Sequence, residues 1–270
     1  MKRVGLFFLS MLLSAFFLTS CLEGGGSVTE GVLVCLLDYD YSKSFDPVLK
    51  TSGGYFSAPN YLNNLILQGE MNPGDCYSIY YRYDDKLPEN APNVINMNGY
   101  FTISILGYAK VPKYYLNYYL TDISTILTSE IPIQKVDILD CLPDHLFMVQ
   151  ESNHASEWEL DWDISYDSEA TMPVVENGKR YYDIYLRAKV RKETQQTAKS
   201  NVEHLVAYNM GSYLRNVASM EQTHLGSSYS ASSSMFTLRF HYVTEVNEAE
   251  NSMTWKSETK DVLIALVTGN

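Results

Sequence analysis

From Trp158 to Asp167 apolar and polar side chains alternate without a break: Trp158, Leu160, Trp162, Ile164 and Tyr166 fall on one face, Glu159, Asp161, Asp163, Ser165 and Asp167 on the other. A period of two belongs to a strand with one buried face, and such a strand folds only when a partner satisfies its backbone. Arg180 to Lys192 offers that partner. It follows the hairpin-type dipeptide Asn177-Gly178 and repeats the pattern with Tyr182, Ile184, Leu186, Ala188 and Val190. An antiparallel register that stacks Ile164 on Leu186 also sets Asp163 opposite Arg187, Asp161 opposite Lys189 and Glu159 opposite Arg191. These charges therefore read as exposed cross-strand pairs, each contributing a few tenths of a kcal/mol.

The rest of the chain reads as mainly β, a small OB-like barrel over residues 31–130 followed by a β-sandwich with one amphipathic helix over residues 131–270. In the first half, Val32 to Leu37 and Leu62 to Leu67 are short apolar runs. The turn Asn72-Pro73-Gly74-Asp75 enters Cys76 to Tyr83, where Tyr77, Ile79, Tyr81 and Tyr83 face one way and Cys76, Ser78, Tyr80 and Arg82 the other. Gly99 to Tyr108 and Tyr114 to Leu120 are also strand-like, and several short strands within about a hundred residues suit a closed barrel. In the second half, Val202, Val206, Met210, Tyr213, Val217 and Met220 recur at spacings of four and three, which predicts a helix over residues 200–221 opened by the capping box Ser200-Asn201-Val202-Glu203. Gly211 then lies inside that helix, at a cost of about 1 kcal/mol relative to alanine. Phe236, Leu238, Phe240 and Tyr242 predict a further strand, and Val262 to Val267 a final one.

The amino terminus carries an export signal. Met1-Lys2-Arg3 precedes an apolar stretch to Phe17 that is shorter than the roughly 20 residues of a spanning helix. Leu18-Thr19-Ser20-Cys21 resembles the lipobox of bacterial lipoproteins, which implies cleavage after Ser20 and diacylglycerol on Cys21, with residues 21–30 as a flexible linker led by Leu22-Glu23-Gly24-Gly25-Gly26-Ser27. Each buried methylene of an acyl chain adds about 0.8 kcal/mol, so the membrane is the expected partner through Cys21. The outer membrane is the expected location, at its periplasmic or its surface face. Removing residues 1–20 leaves 32 Asp and Glu against 18 Lys and Arg, a formal balance of −14, which repels phosphate backbones; nucleic acid is not an expected partner. Of the remaining thiols, Cys35 and Cys76 share candidate strands of one half and are the pair a disulfide would join; the alternative is that Cys35, Cys76 and Cys141 are three buried thiols.

Known site chemistries find little footing. Asp161, Asp163, Ser165 and Asp167 imitate the start of a calcium loop, but Tyr166 stands at its glycine position and Met172 at its bidentate glutamate position. His145, His154, His204, His224 and His241 show no ligand spacing, and no nucleophile elbow or phosphate-binding glycine loop is present. No catalytic, metal or cofactor residue is assigned on this basis. The 22 tyrosines are the best functional signal. Runs such as Tyr114-Tyr115-Leu116-Asn117-Tyr118-Tyr119 place rings on both faces of a strand, so Tyr80, Tyr114, Tyr115, Tyr118 and Tyr119 are candidates for a surface that stacks on a glycan or an envelope protein.

Cys21, the first strand Val32 to Leu37, the entry Pro73-Gly74-Asp75, the strand Tyr182 to Val190 with Leu186-Arg187, and the late strand Met235 to Val243 together resemble the NigD-like lipoproteins. The resemblance implies the same order of parts, lipobox, linker, OB-like barrel and sandwich, and an envelope location. It implies no catalytic residues. The function expected is a non-catalytic binding or assembly module, with a fibre or adhesin subunit and a carbohydrate-active enzyme or its accessory as alternatives.

Overall fold

The computed structural model describes residues 28–41, 45–169, 172–195 and 198–268. The signal peptide, Cys21 and the linker as far as residue 27 lie outside the described residues. The chain divides into two compact units at Pro112 and Lys113.

The first unit is built on β1 (Val28–Tyr39), β2 (Pro47–Thr51), β3 (Gly54–Ser57), helix α1 (Pro59–Leu67), β4 (Cys76–Asp84), helix α2 (Pro92–Asn98), β5 (Tyr100–Thr102) and β6 (Ser104–Val111). β1 is long enough to serve two partners, pairing β4 from Val28 to Leu36 and β2 from Leu36 to Tyr39. β5 and β6 are one strand interrupted at Ile103. The first part pairs β3 in parallel and the second pairs β4 antiparallel, which closes the ring with OB connectivity. Tyr77, Ile79, Tyr81 and Tyr83 point inward with Cys35 and Leu37, as their alternation predicts. Leu62 to Leu67 is helix, not strand. Pro59 opens it, where a missing N–H costs nothing, and Leu62 and Leu65 share the buried face that plugs the barrel beside Met71. Cys35 lies opposite Tyr77 and Cys76 opposite Leu36, so the two thiols sit on opposite faces of the sheet and do not form the expected disulfide; Cys35, Cys76 and Cys141 are all buried thiols.

The second unit begins with β7 (Lys113–Tyr115), ahead of the boundary expected at residue 131, because this strand pairs within the later sheet. It continues through β8 (Glu130–Ile131), β9 (Ile133–Cys141), β10 (His145–His154), β11 (Glu159–Ser165), β12 (Val174–Glu176), β13 (Lys179–Lys192), β14 (Ser200–Asn209), helix α3 (Gly211–Leu225), β15 (Met235–Asn247), β16 (Ser252–Leu263) and the short α4 (Ile264–Thr268). One sheet has the order β7-β14-β10-β9. The other runs β11-β13-β15-β16, with β8 and β12 also on β13. Leu146, Met148, Val206 and Tyr208 of the first meet Trp162, Ile164, Ile184, Leu186, Leu238 and Phe240 of the second in a shared core, onto which α3 adds Tyr213, Leu214 and Val217. The protein is thus mainly β, an OB domain followed by a β-sandwich.

The register of β11 on β13 matches expectation at Asp161–Lys189, Asp163–Arg187 and Ile164–Leu186, while a bulge moves Glu159 opposite Lys192. The helix does not begin at Ser200. Residues 200–209 form β14, paired with β10 along its whole length, and the helix starts at Gly211. A spacing of four fits both periods, so Val202 and Val206 share a face in a strand as they would in a helix. Gly211 is the first helical residue, and a Cβ there would lie 2.1 Å from Asp144 Oδ1, so glycine at this point admits the side chain that also pairs with Arg215. The predicted final strand ends at Leu263, and Ile264 begins α4.

Candidate functional site

The feature that shapes the second unit's surface is an interruption along one edge of β13. β11 pairs β13 up to Ser165–Tyr185, and β12 resumes the pairing at Val174–Tyr181. Between them a cleft of about 680 Å³ opens, lined by Tyr166, Tyr181, Tyr182, Tyr185 and Tyr213, with Leu120 and Ile123 on one side and Met172, Val217 and Met220 on the other. Asp167, Asp183, Ser168 and Asn216 supply its polar groups.

The wall carrying Leu120 and Ile123 is held by a buried cation. Arg187 is almost wholly buried. Its Nε donates to Glu130 Oε1 at 2.6 Å, Nη1 to the Asp122 carbonyl at 2.6 Å and Nη2 to the Thr125 carbonyl at 2.6 Å, with a further Nη2 bond to Glu130 Oε2. The sequence placed Arg187 on an exposed face, paired with Asp163. Asp163 instead accepts from Asn117 Nδ2 and Thr121 Oγ1, and the connection from Leu116 to Ser129 covers the guanidinium. That connection starts as a continuation of the sheet, with Asn117 N donating to the Ile164 carbonyl at 2.8 Å.

The floor is stiffened by a second network. Asp183 accepts a bidentate pair from Arg239, Nε to Oδ1 at 2.6 Å and Nη2 to Oδ2 at 2.9 Å, while His241 Nε2 lies 3.1 Å from Oδ1. Burial pushes the Asp183 carboxyl up, but His241 and Arg239 outweigh it and hold the group below the ordinary carboxylate range. Arg239 also bonds Glu176 at 2.7 Å and lies 4.7 Å over the Tyr181 ring. Tyr185 stacks on His241 at 4.9 Å and meets Trp255 edge-on at 5.8 Å. On the helix side the Tyr182 hydroxyl and Arg180 Nε both donate to the buried Glu221 of α3, at 2.5 and 2.7 Å. The Tyr182, Tyr185 and Tyr213 hydroxyls are all raised, chiefly by burial. The rings are thus neutral, rigid platforms set by ion pairs behind them. This arrangement suits stacking and hydrogen bonding.

Of the tyrosines singled out by sequence, Tyr118 meets Tyr166 edge-on at 5.9 Å, and Tyr166 in turn packs 4.5 Å from Tyr213, which extends the lining of the cleft to its rim. Tyr115 and Tyr119 are exposed nearby in sequence, whereas Tyr114 is half-buried against Tyr208. Tyr80 belongs to the first unit, where its hydroxyl bonds Glu30, and it forms no part of this site. Tyr166, Tyr181, Tyr185, Tyr213 and Asp183 were not singled out, since they come from separate segments. No group of three or more His, Cys, Asp or Glu is placed to hold a metal among the described residues, and no described helix is long and apolar enough to cross a membrane.

The fold and site define a two-domain, β-rich protein with an amino-terminal OB domain. Residues 33–109 match the family model described as Lipoprotein OB domain. Two solved structures share the fold across both units. One, an uncharacterized protein from Parabacteroides merdae ATCC 43184, is 19% identical, with a TM-score of 0.70 over 86% of this chain and 98% of that one. Another, a candidate lipoprotein from Bacteroides fragilis NCTC 9343, is 11% identical, with a TM-score of 0.51 over 86% and 97%. No curated protein matches this chain.

Proposed function

We propose that the chain is a lipid-anchored, non-catalytic module of the cell envelope that binds a glycan in the cleft along β13. The observation that carries this reading is the set of five tyrosine rings lining one open cleft, backed by ion pairs and interspersed with carboxylate and amide groups. Sugar rings present C–H faces to aromatic platforms and hydroxyls to such acceptors, and a cleft of this size takes a short oligosaccharide. The anchor is acylated Cys21, the location the outer membrane and the family the NigD-like lipoproteins. The lipoprotein OB match and the sequence Leu18 to Cys21 support these assignments.

The test is a binding screen of envelope and dietary polysaccharides against the full chain, repeated with Tyr185→Ala and Tyr181→Ala. Retention of one glycan class that is lost in both variants, with unchanged melting curves, is the expected result. No retention of any glycan overturns the reading. An envelope protein is the second reading, favoured by the exposed Met172, Val174, Val175 and Met220 in and beside the cleft.

A further inference from the structure

β10 and β14 pair antiparallel, with His154 opposite Ser200, Ser152 opposite Val202 and His204 opposite Gln150. All of these even-numbered positions share the sheet face that carries Leu146, Met148, Val206 and Tyr208 into the core. Toward one end that face turns from apolar to polar. His154 and His204 approach each other from either side of the Ser152–Val202 pair until their Nε2 atoms lie 3.0 Å apart. Two like ring nitrogens meet at that distance only if one of them offers a lone pair, so at least one ring is neutral. Ser152 Oγ beside this contact is buried without a hydrogen-bond partner, and Ser152 is fully enclosed. From the facing sheet the Trp162 ring lies 5.4 Å from His204. His204 keeps part of its surface open to solvent, which gives a small solute an entry.

We propose that His154 and His204 form a two-imidazole copper site at this end of the sandwich. The chemistry of the donors points there. Imidazole nitrogens bond copper and zinc at about 2.0–2.1 Å, so two cis ligands of a tetragonal copper stand about 2.8 Å apart and two of a tetrahedral zinc about 3.3 Å. The 3.0 Å separation is nearer the first. Copper is also the strongest of the divalent first-row ions for a nitrogen site, which matters where only two protein ligands converge and water completes the shell. A ring that donates from Nε2 in the present contact moves that proton to Nδ1 by exchange with water, leaving both Nε2 lone pairs for the ion with no net proton released. Ser152, with the smallest side chain on this stretch of β10, leaves room for the rings to meet and places its unpaired hydroxyl below them.

The experiment uses full-length protein purified without a histidine tag and titrated with Cu²⁺ and, separately, Zn²⁺, read by electron paramagnetic resonance and by ring ¹⁵N–¹H correlation spectra. The expected result is that the first copper equivalent shows coupling to two nitrogens and broadens His154 and His204 ahead of the exposed His224. Outer-shell partners alone change metal affinity by about 10–100-fold, so removal of a ligand in His204→Gln or His154→Gln should weaken copper at least about tenfold. Zinc should bind more weakly than copper. Copper that broadens His224 first, or that binds wild type and both variants alike, overturns the proposal. Because the wild-type spectra locate the ion directly, a variant that fails to fold leaves the test intact.

Discussion

The two units bury tyrosine-rich strands of similar pattern but treat polarity in opposite ways. Among the described residues of the OB domain the buried polar ones are Ser57, Ser78 and the loop-bridging Asn90, and closure of the sheet turns Tyr77, Tyr81 and Tyr83 inward among apolar neighbours that include Phe56 and Phe101. In the sandwich, Glu130, Arg187, Glu221, His154 and Gln150 are all buried. A closed ring needs only apolar filling to define its shape, because every strand already has two partners. The sandwich has an interrupted edge along β13, and there charged side chains fix what the ladder does not: Arg187 secures the crossing connection, and Arg239 and Glu221 secure the rings. Buried ion pairs stabilise a fold less than apolar packing of the same volume, and here their evident work is to specify the cleft.

If that contrast is right, the sandwich should be the acid-sensitive and charge-sensitive half. Its unfolding is separately visible, since Trp158, Trp162 and Trp255 all lie in it. The largest effect is expected from Arg187→Leu, which leaves Glu130 buried without its cation and should cost about 3–5 kcal/mol in denaturant unfolding followed by tryptophan fluorescence. A loss below about 1 kcal/mol would mean that Glu130 finds water and that the pair specifies little.

Next comes pH, measured with chelator present. Burial, with a smaller contribution from the nearby His154, pushes His204 down from the usual 6.5 to about 4. The unfolded ring therefore takes a proton that the folded ring refuses, and stability should fall as pH drops from about 6.5 to about 4, by on the order of 3 kcal/mol. The slope should flatten in His204→Gln, while amide exchange of β4 in the OB domain should not follow it. An equal acid response in both units would erase the contrast.

A smaller effect is expected at the start of α3. Gly211→Ala forces Asp144 from its place and should cost about 1–3 kcal/mol in the same fluorescence assay, despite alanine's better helix propensity. Stabilisation by this change would show that Asp144 relaxes freely. The smallest belongs to Arg191, whose pairing with Glu159 is exposed and screened by water; Arg191→Ala should leave the unfolding midpoint nearly unchanged, which separates surface charge from the buried kind on the same strand.

Much of the architecture was legible because strand alternation leaves little freedom. Once Ile164 is set on Leu186, the flanking charges fall into register, and only the bulge at Glu159 escaped. The stretch from Ser200 misled because valines four apart satisfy a strand and a helix equally; what decided it was pairing with β10, which lies some fifty residues earlier. The cleft was scarcely legible. Clusters such as Tyr114 to Tyr119 stand out in a sequence, but rings that converge from Tyr166 just past β11, from β13 and from α3 do not. Arg187 shows the same limit, since its alternation fixed its face while a connection that no periodicity describes decided its burial.

The parallel pairing of β13 with β15 bears on how the chain reaches this state. Asp183 and Arg239 are neighbours across that ladder yet stand 56 residues apart in sequence, with β14, which belongs to the other sheet, and α3 placed between them. Contacts of that range form late. Until β15 arrives, β13 displays an unpaired, tyrosine-rich edge, so the same strand that frames the finished cleft is, for a newly made chain, the stretch most open to capture by a neighbour or a chaperone.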